Sequence, residues 1–173
     1  MTSRERLAAA ISRRIPDRVP MVDISFWPPT IERWRQEGLP ADADPNDYFG
    51  LDVIGCVSFD CSLQFPERTL EETAGYRIYV DADGVTTKTW LQHYAPPAQL
   101  EFTITGRPSW QTHRERLRPD LTRLTESTWS SYRGCRERDQ FTVITPAEPC
   151  WHLMRTAGHE AALMWMAEQP GLV

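Results

Sequence analysis

Lysine is almost missing from this chain. Lys88 is the single one among nineteen basic residues, the rest being arginine. A demand for bidentate contacts to carboxylate or phosphate would explain this, and so would a base-composition bias in the coding DNA, which needs no site at all. Long apolar runs are missing too. None approaches the roughly 20 residues of a bilayer-spanning helix, and the N-terminal arginines lead into no apolar signal-peptide core. A cytoplasmic protein without a membrane partner is expected, with its four cysteines as reduced thiols. Positive charge is not in excess: the formal net charge is −5, against a nucleic-acid surface. There is no glycine-rich phosphate loop, nucleophile elbow, metalloprotease helix or internal repeat.

The first third carries the clearest pattern. Thr2 with Glu5 three residues on is a capping box. Leu7 and Ile11 share a helical face among alanines. Pro16 stops that helix and Pro16-Asp17-Arg18-Val19-Pro20 makes a rigid turn. Met21 to Trp27 is a mostly apolar run of strand length, expected to be buried on both faces. Pro28 and Pro29 open a second helix, with Ile31 and Trp34 on its apolar side and Gly38 at its C-terminal end.

Asp44-Pro45 starts a short helix carrying Tyr48 and Phe49. Leu51 to Phe59 is a second strand, where Gly55 marks a bulge or a close backbone approach. Tyr76 to Leu91 reads as a β-hairpin turning at Asp81-Ala82-Asp83-Gly84, an antiparallel insertion spanning about 75–92. Leu100 to Ile104 is a short extended piece. Ser109 is expected to cap a helix starting at Trp110. Pro119 interrupts that helix and Asp120 caps the next. Leu121, Leu124, Thr128, Tyr132 and Cys135 fall on one helical face. Phe141 to Thr145 predicts a buried strand, Trp151 to Thr156 a helical turn or two, and a last helix comes after Gly158. The order is α/β in character.

Thr2-Ser3-Arg4-Glu5-Arg6, Pro16-Asp17-Arg18-Val19-Pro20, Tyr48-Phe49-Gly50-Leu51-Asp52, the stretch Tyr76 to Lys88, the Ser109-Trp110 helix start and Gly158-His159-Glu160 through Pro170 resemble, in order, landmarks of the uroporphyrinogen decarboxylase superfamily. That superfamily includes corrinoid and coenzyme M methyltransferases. The resemblance implies a TIM (β/α)8 barrel of about 250 residues. At 173 residues, residues 1–173 read as one domain forming a partial barrel, its N-terminal half. A second half-barrel, a corrinoid protein or a homo-oligomer is then an expected partner, with a small-molecule substrate.

Barrel active sites lie at the C-terminal ends of the strands. A barrel so read has Asp23 and Ser25 near the C-terminal end of the first strand, Asp60 at the end of the second, and Glu148 and His152 after Phe141–Thr145. Asp23 and Asp60 are candidate acid–base or substrate-binding carboxylates, or ordinary strand-exit aspartates. His152 is a candidate proton carrier near neutral pH, or a structural histidine beside Trp151. Ser25, Phe26, Trp27 and Glu148 complete the candidate substrate-binding set. Ser58-Phe59-Asp60 is similar to the decarboxylase Phe-Ser-Asp with the first two residues exchanged. The decarboxylases' arginine-bearing loop is replaced by Ile24-Ser25-Phe26-Trp27-Pro28-Pro29, which lacks the guanidinium groups a polycarboxylate needs. Methyl transfer is therefore the preferred expectation, with tetrapyrrole decarboxylation and a non-catalytic interaction module as alternatives. The resemblance locates the methyltransferase zinc ligands in the half absent here, so no cofactor is expected within this chain. Zinc and a corrinoid belong to the complete enzyme.

Overall fold

Thr2 begins the first helix as its spacing predicts. Its hydroxyl accepts from the Glu5 N–H at 3.2 Å while the Glu5 carboxylate accepts from the Thr2 N–H at 2.9 Å. The protein is described by a computed structural model covering residues 1–23 and 25–172. Its elements are α1 (Ser3–Ile11), α2 (Pro28–Gln36), α3 (Pro45–Tyr48), β1 (Ile54–Val57), β2 (Arg68–Glu72), β3 (Tyr76–Val80), β4 (Thr86–Trp90), β5 (Ala98–Glu101), α4 (Arg107–His113), α5 (Glu126–Glu137), β6 (Phe141–Ile144), α6 (Pro149–Ala157) and α7 (His159–Glu168). The fold is mixed α/β. Its described strands form a two-stranded parallel sheet and a four-stranded antiparallel sheet, neither of them closed. Among the described residues no helix is long and apolar enough to cross a membrane.

The chain divides into two compact units. The first is Met1–Phe59 with Leu124–Thr145. Here β1 pairs in parallel with β6, from Ile54 opposite Phe141 to Val57 opposite Ile144. Helix α5 packs on both strands and α1 on β6. Gly55 is the close approach its position predicted: a Cβ there would lie 2.6 Å from Cys135 Sγ and 2.8 Å from Cys135 Cβ.

Buried charge fastens the N-terminal part of this unit. The Arg6 guanidinium donates to Asp17 at 2.6 and 2.9 Å, to the Met1 carbonyl at 2.8 Å and to Asp52. Asp52 is fully buried and also accepts from the Met21 N–H at 3.0 Å and pairs with Arg18 at 2.9 Å. Burial pushes the Asp52 carboxyl up. The hydrogen bonds from Met21, Ser3 and Arg6 and the charge of Arg18 outweigh this and hold it below the ordinary carboxylate range. Arg6 and the N-terminal ammonium hold Asp17 far below that range.

Several expectations for this unit are corrected. Met21 to Trp27 forms no strand in its described residues, and Met21, Val22 and Trp27 are exposed. A parallel strand buried on both faces needs neighbours on both edges, whereas this segment's backbone pairing to β1's approach is the Asp52 N–H to Met21 carbonyl bond. Ile24 lies outside the described residues. Helix α2 buries none of its residues. The expected five-residue face around α5 reduces to Thr128 and Cys135. Tyr132 is exposed, and Leu121 lies before the helix at 83% exposure. Ile144 ends β6 at 69% exposure, so that strand is only half-buried. Ile11, one turn beyond buried Leu7 on the same face of α1, is exposed as well.

The second unit is Asp60–Arg123 with the chain from Pro146 on. The predicted hairpin is β3–β4, with Gly84 at φ +74° in its turn. It is the centre of a larger meander, β2-β3-β4-β5, because Arg68–Glu72 and Ala98–Glu101 pair on either side. Leu63, Ile104 and Ala157 make its core, with Phe65, Trp110, Leu117, Leu153 and Trp165 packed around them. Gly158 separates α6 from α7 at φ +87°, where a Cβ would meet the Phe102 ring at 2.9 Å. Ser109 does not cap α4: the helix begins at Arg107 after Gly106, and the Ser109 hydroxyl donates to the Gly106 carbonyl at 2.9 Å.

Two substitutions probe the first unit. Gly55→Ala is expected to cost about 1–3 kcal/mol in chemical denaturation through overpacking. Adding Cys135→Ala should recover only part of this, since the Cys135 Cβ itself lies 2.8 Å away. Asp52→Asn is expected to cost about 2 kcal/mol, the 3–5 of a broken buried pair reduced by the solvent reaching Arg18. Because the folded-state carboxyl is depressed, the wild-type advantage is fully present above the unfolded value near about 4. It should disappear as pH falls through the folded value, which denaturation curves of both proteins at several pH values will read.

Candidate functional site

In the second unit two buried aspartates, one arginine and one histidine meet. Their placement follows from local rules. Glu148 caps α6, its carboxylate accepting from the Cys150 N–H at 3.1 Å and the Trp151 N–H at 2.6 Å, and Pro149 takes the first helical position. The helix so fixed presents His152 and Arg155, three apart, on one side. Opposite stands the β3–β4 turn. Asp81 Oδ1 accepts from the Asp83 and Val85 N–H groups at 2.9 and 3.0 Å, which is how an aspartate builds a turn from its own side chain.

Arg155 bridges both carboxylates, Nη2 to Asp81 Oδ2 and Nε to Asp83 Oδ2, each at 2.8 Å. Asp83 Oδ1 accepts from the Leu63 N–H at 3.0 Å. His152 Nε2 lies 3.9 Å from the same oxygen, beyond hydrogen-bonding reach, and is buried without a partner. Gln99 donates to the Arg155 carbonyl at 3.0 Å, tying β5 to the same helix. One guanidinium against two carboxylates leaves a net negative charge beside the imidazole. A carboxylate next to a histidine is the raw material of acid–base chemistry. The bonds formed here fasten the hairpin tip to α6.

The other predicted residues lie elsewhere. Asp60, in the second unit, closes a local turn. It accepts from the Ser62 N–H at 2.8 Å, the Ser62 hydroxyl at 2.6 Å and Gln64 at 3.0 Å, and faces Arg123 at 3.7 Å. Burial pushes its carboxyl up, but these bonds and the charge of Arg123 prevail and hold it low. An anion so engaged is a poor proton acceptor, and Asp60 and His152 stand in separate hydrogen-bond networks. Glu148 is occupied as a helix cap. Asp23, Ser25, Phe26 and Trp27 belong to the first unit. There Asp23, Ser25 and Trp27 are exposed, and Phe26 packs edge-on against Trp34, which packs in turn on Phe49, at centroid distances of 5.1 and 4.9 Å.

A zinc site does not fit these residues. Cys150 and His152 are two apart on α6 and so point to different sides. Among the described residues no group of three or more His, Cys, Asp or Glu side chains could hold a metal. Sequence reasoning missed Asp81, Asp83 and Arg155 as site residues. The Asp-x-Asp-Gly turn and the His-x-x-Arg spacing are visible in the chain, but nothing in the sequence announces that they meet.

No protein-family model matches the chain, and comparison with curated proteins and with solved structures also gave no match.

Replacing Arg155 by Met should leave two buried carboxylates facing each other. About 1–2 kcal/mol of stability is expected to be lost, discounted because Arg155 is itself 46% exposed. Arg155→Lys should recover little, since one ammonium does not span both acceptors as the fork does. Faster amide exchange at Leu63, Asp83 and Val85 would locate the damage at the turn.

Proposed function

We propose that this chain supplies part of a parallel β/α barrel of the uroporphyrinogen decarboxylase superfamily, and that the complete barrel transfers a methyl group from a corrinoid protein to an acceptor. The observation carrying this reading is that residues from three separate stretches of the resemblance form one network. Arg6 comes from the opening motif, Asp17 and Arg18 from the proline turn, and Gly50 and Asp52 from the Tyr48–Asp52 stretch. Arg18 donates to the Gly50 carbonyl at 2.9 Å, besides the ion pairs already described. Parallel β1 and β6, joined by a connection that includes α5 packed on both, are what two barrel strands would look like.

Methyl transfer is preferred over decarboxylation on two grounds. Ser25 to Pro29 holds no guanidinium for a polycarboxylate, and Asp60 spends its carboxylate on its own turn. Zinc held by a second half-barrel would supply the activation of the acceptor thiol. This chain's residues do not hold it, and its own contribution is the wall and the positioning of substrate near Asp23, Ser25, Phe26 and Trp27. A non-catalytic interaction module is the second reading. It is favoured by the exposed apolar side chains of Ile15, Val19, Trp27 and Ile144 in the first unit, which a second half-barrel or a second copy would cover.

The test combines this chain with a second half-barrel that carries the zinc ligands, and offers the pair methylcob(III)alamin with a thiol acceptor, and separately uroporphyrinogen. Methyl transfer converts the first pair to cob(I)alamin and a thioether, read by cobalamin absorbance, and this is the expected outcome. Carboxyl loss from uroporphyrinogen would replace it with the decarboxylase reading. Turnover of neither by the combined halves would remove the chemistry and leave the interaction module.

A further inference from the structure

One face of the antiparallel sheet already holds a cation against aromatic rings. Side chains alternate along strands, and the register sets Tyr76 opposite Trp90 and Ile78 opposite Lys88, so these four share a face. The Lys88 ammonium lies 3.9 Å from the Tyr76 ring centroid and 5.9 Å from that of Trp90. Both are within the range of about 6 Å where a ring's quadrupole attracts a cation. The His93 ring stands 5.8 Å from that of Trp90. Glu71, opposite Ile78 on β2, accepts from the Tyr76 hydroxyl at 2.6 Å. That bond places a carboxylate at the rim and enriches the ring that faces the ammonium.

Among the described residues Lys88 has neither an ion-pair nor a hydrogen-bond partner. The two rings lie closest to its charge. Tyr76, Lys88 and Trp90 are all half-buried, so the face is open to solvent. Arginine serves the other ring contacts, Arg77 over Tyr79 and Arg116 over Phe65. The compact ammonium of the chain's single lysine stands here.

We propose that Tyr76, Trp90 and Glu71 form a binding site for a small free quaternary ammonium ion, and that Lys88 is its internal occupant, displaced when the ligand arrives. The two cations differ in hydration. A primary ammonium is strongly hydrated and gives up little on swinging into water on its flexible stem. A trimethylated nitrogen is weakly hydrated, and its methyl groups add apolar contact with both rings. The exchange therefore favours the methylated ion. This inference rests on the second unit alone and does not use the methyl-transfer reading.

The probe is choline, titrated into the full chain and followed by tryptophan fluorescence, with its uncharged carbon isostere 3,3-dimethylbutan-1-ol as control. Saturable choline binding is expected, with no saturable response to the isostere. Lys88→Met should tighten choline binding about tenfold by removing the competitor, and Trp90→Leu in that background should abolish it. Circular dichroism verifies that Lys88→Met folds, and Lys88→Gln repeats the test if it does not. Equal binding of choline and its isostere, or no gain on removing the lysine charge, would overturn the proposal. Binding to phosphatidylcholine vesicles without binding to free choline would overturn the free-ion form of it.

Discussion

Arg6 is buried at 8% exposure, and its guanidinium reaches Asp17, Asp52 and the Met1 carbonyl together. Everything around it in the first unit depends on that charge being answered. Helix α1, the proline turn and the approach to β1 cannot separate without leaving an arginine and an aspartate buried and unpaired, and an unpaired buried charge is among the costliest defects a fold can carry. The apolar core of this unit is small, with Leu7, Ala9, Leu39, Val57 and Cys135 as its buried apolar residues among those described. An ionic network with fixed geometry supplies the specificity that so few apolar contacts leave unset.

The second unit solves a similar problem with the same side chain. Asp81 and Asp83 build the hairpin turn and are buried by it, and Arg155 answers both from the facing helix. A planar fork with several donors spans two carboxylates, and a point charge on a flexible stem does not. The arginine-rich composition therefore has structural use at Arg6 and Arg155, whatever the bias of the coding DNA. Lys88 is a contrast: its ammonium rests on the Tyr76 and Trp90 rings rather than between carboxylates.

Local rules are legible in the sequence. The Thr2–Glu5 capping box, the Asp44 start of its helix, the Gly84 turn, the close approach at Gly55 and the break at Gly158 follow from single residues and their near neighbours, and the structure shows each. Glu148 draws notice in sequence for its chemistry, yet its carboxylate serves the helix it starts. Asp60 reads in sequence as a strand-exit acid and turns out to organise its own turn through Ser62 and Gln64. In both cases a backbone or side-chain donor two to four residues away claims the oxygen first, because local hydrogen bonds need little ordering of the chain to form.

The sequence by itself thus determined the caps at Thr2 and Asp44, the turn at Gly84 and the break at Gly158, and the α/β alternation they punctuate. Tertiary structure alone decided which apolar runs become strands and which charges meet. Met21 to Trp27 has strand composition but no ladder among its described residues, because a strand exists only through neighbours whose positions no local pattern states. Arg68–Glu72, exposed throughout, is a strand only because β3 pairs with it. The Asp81–Asp83–Arg155 clamp joins residues more than seventy positions apart. Its existence depends on the sheet bringing the turn against α6, a long-range event that single-residue preferences do not encode.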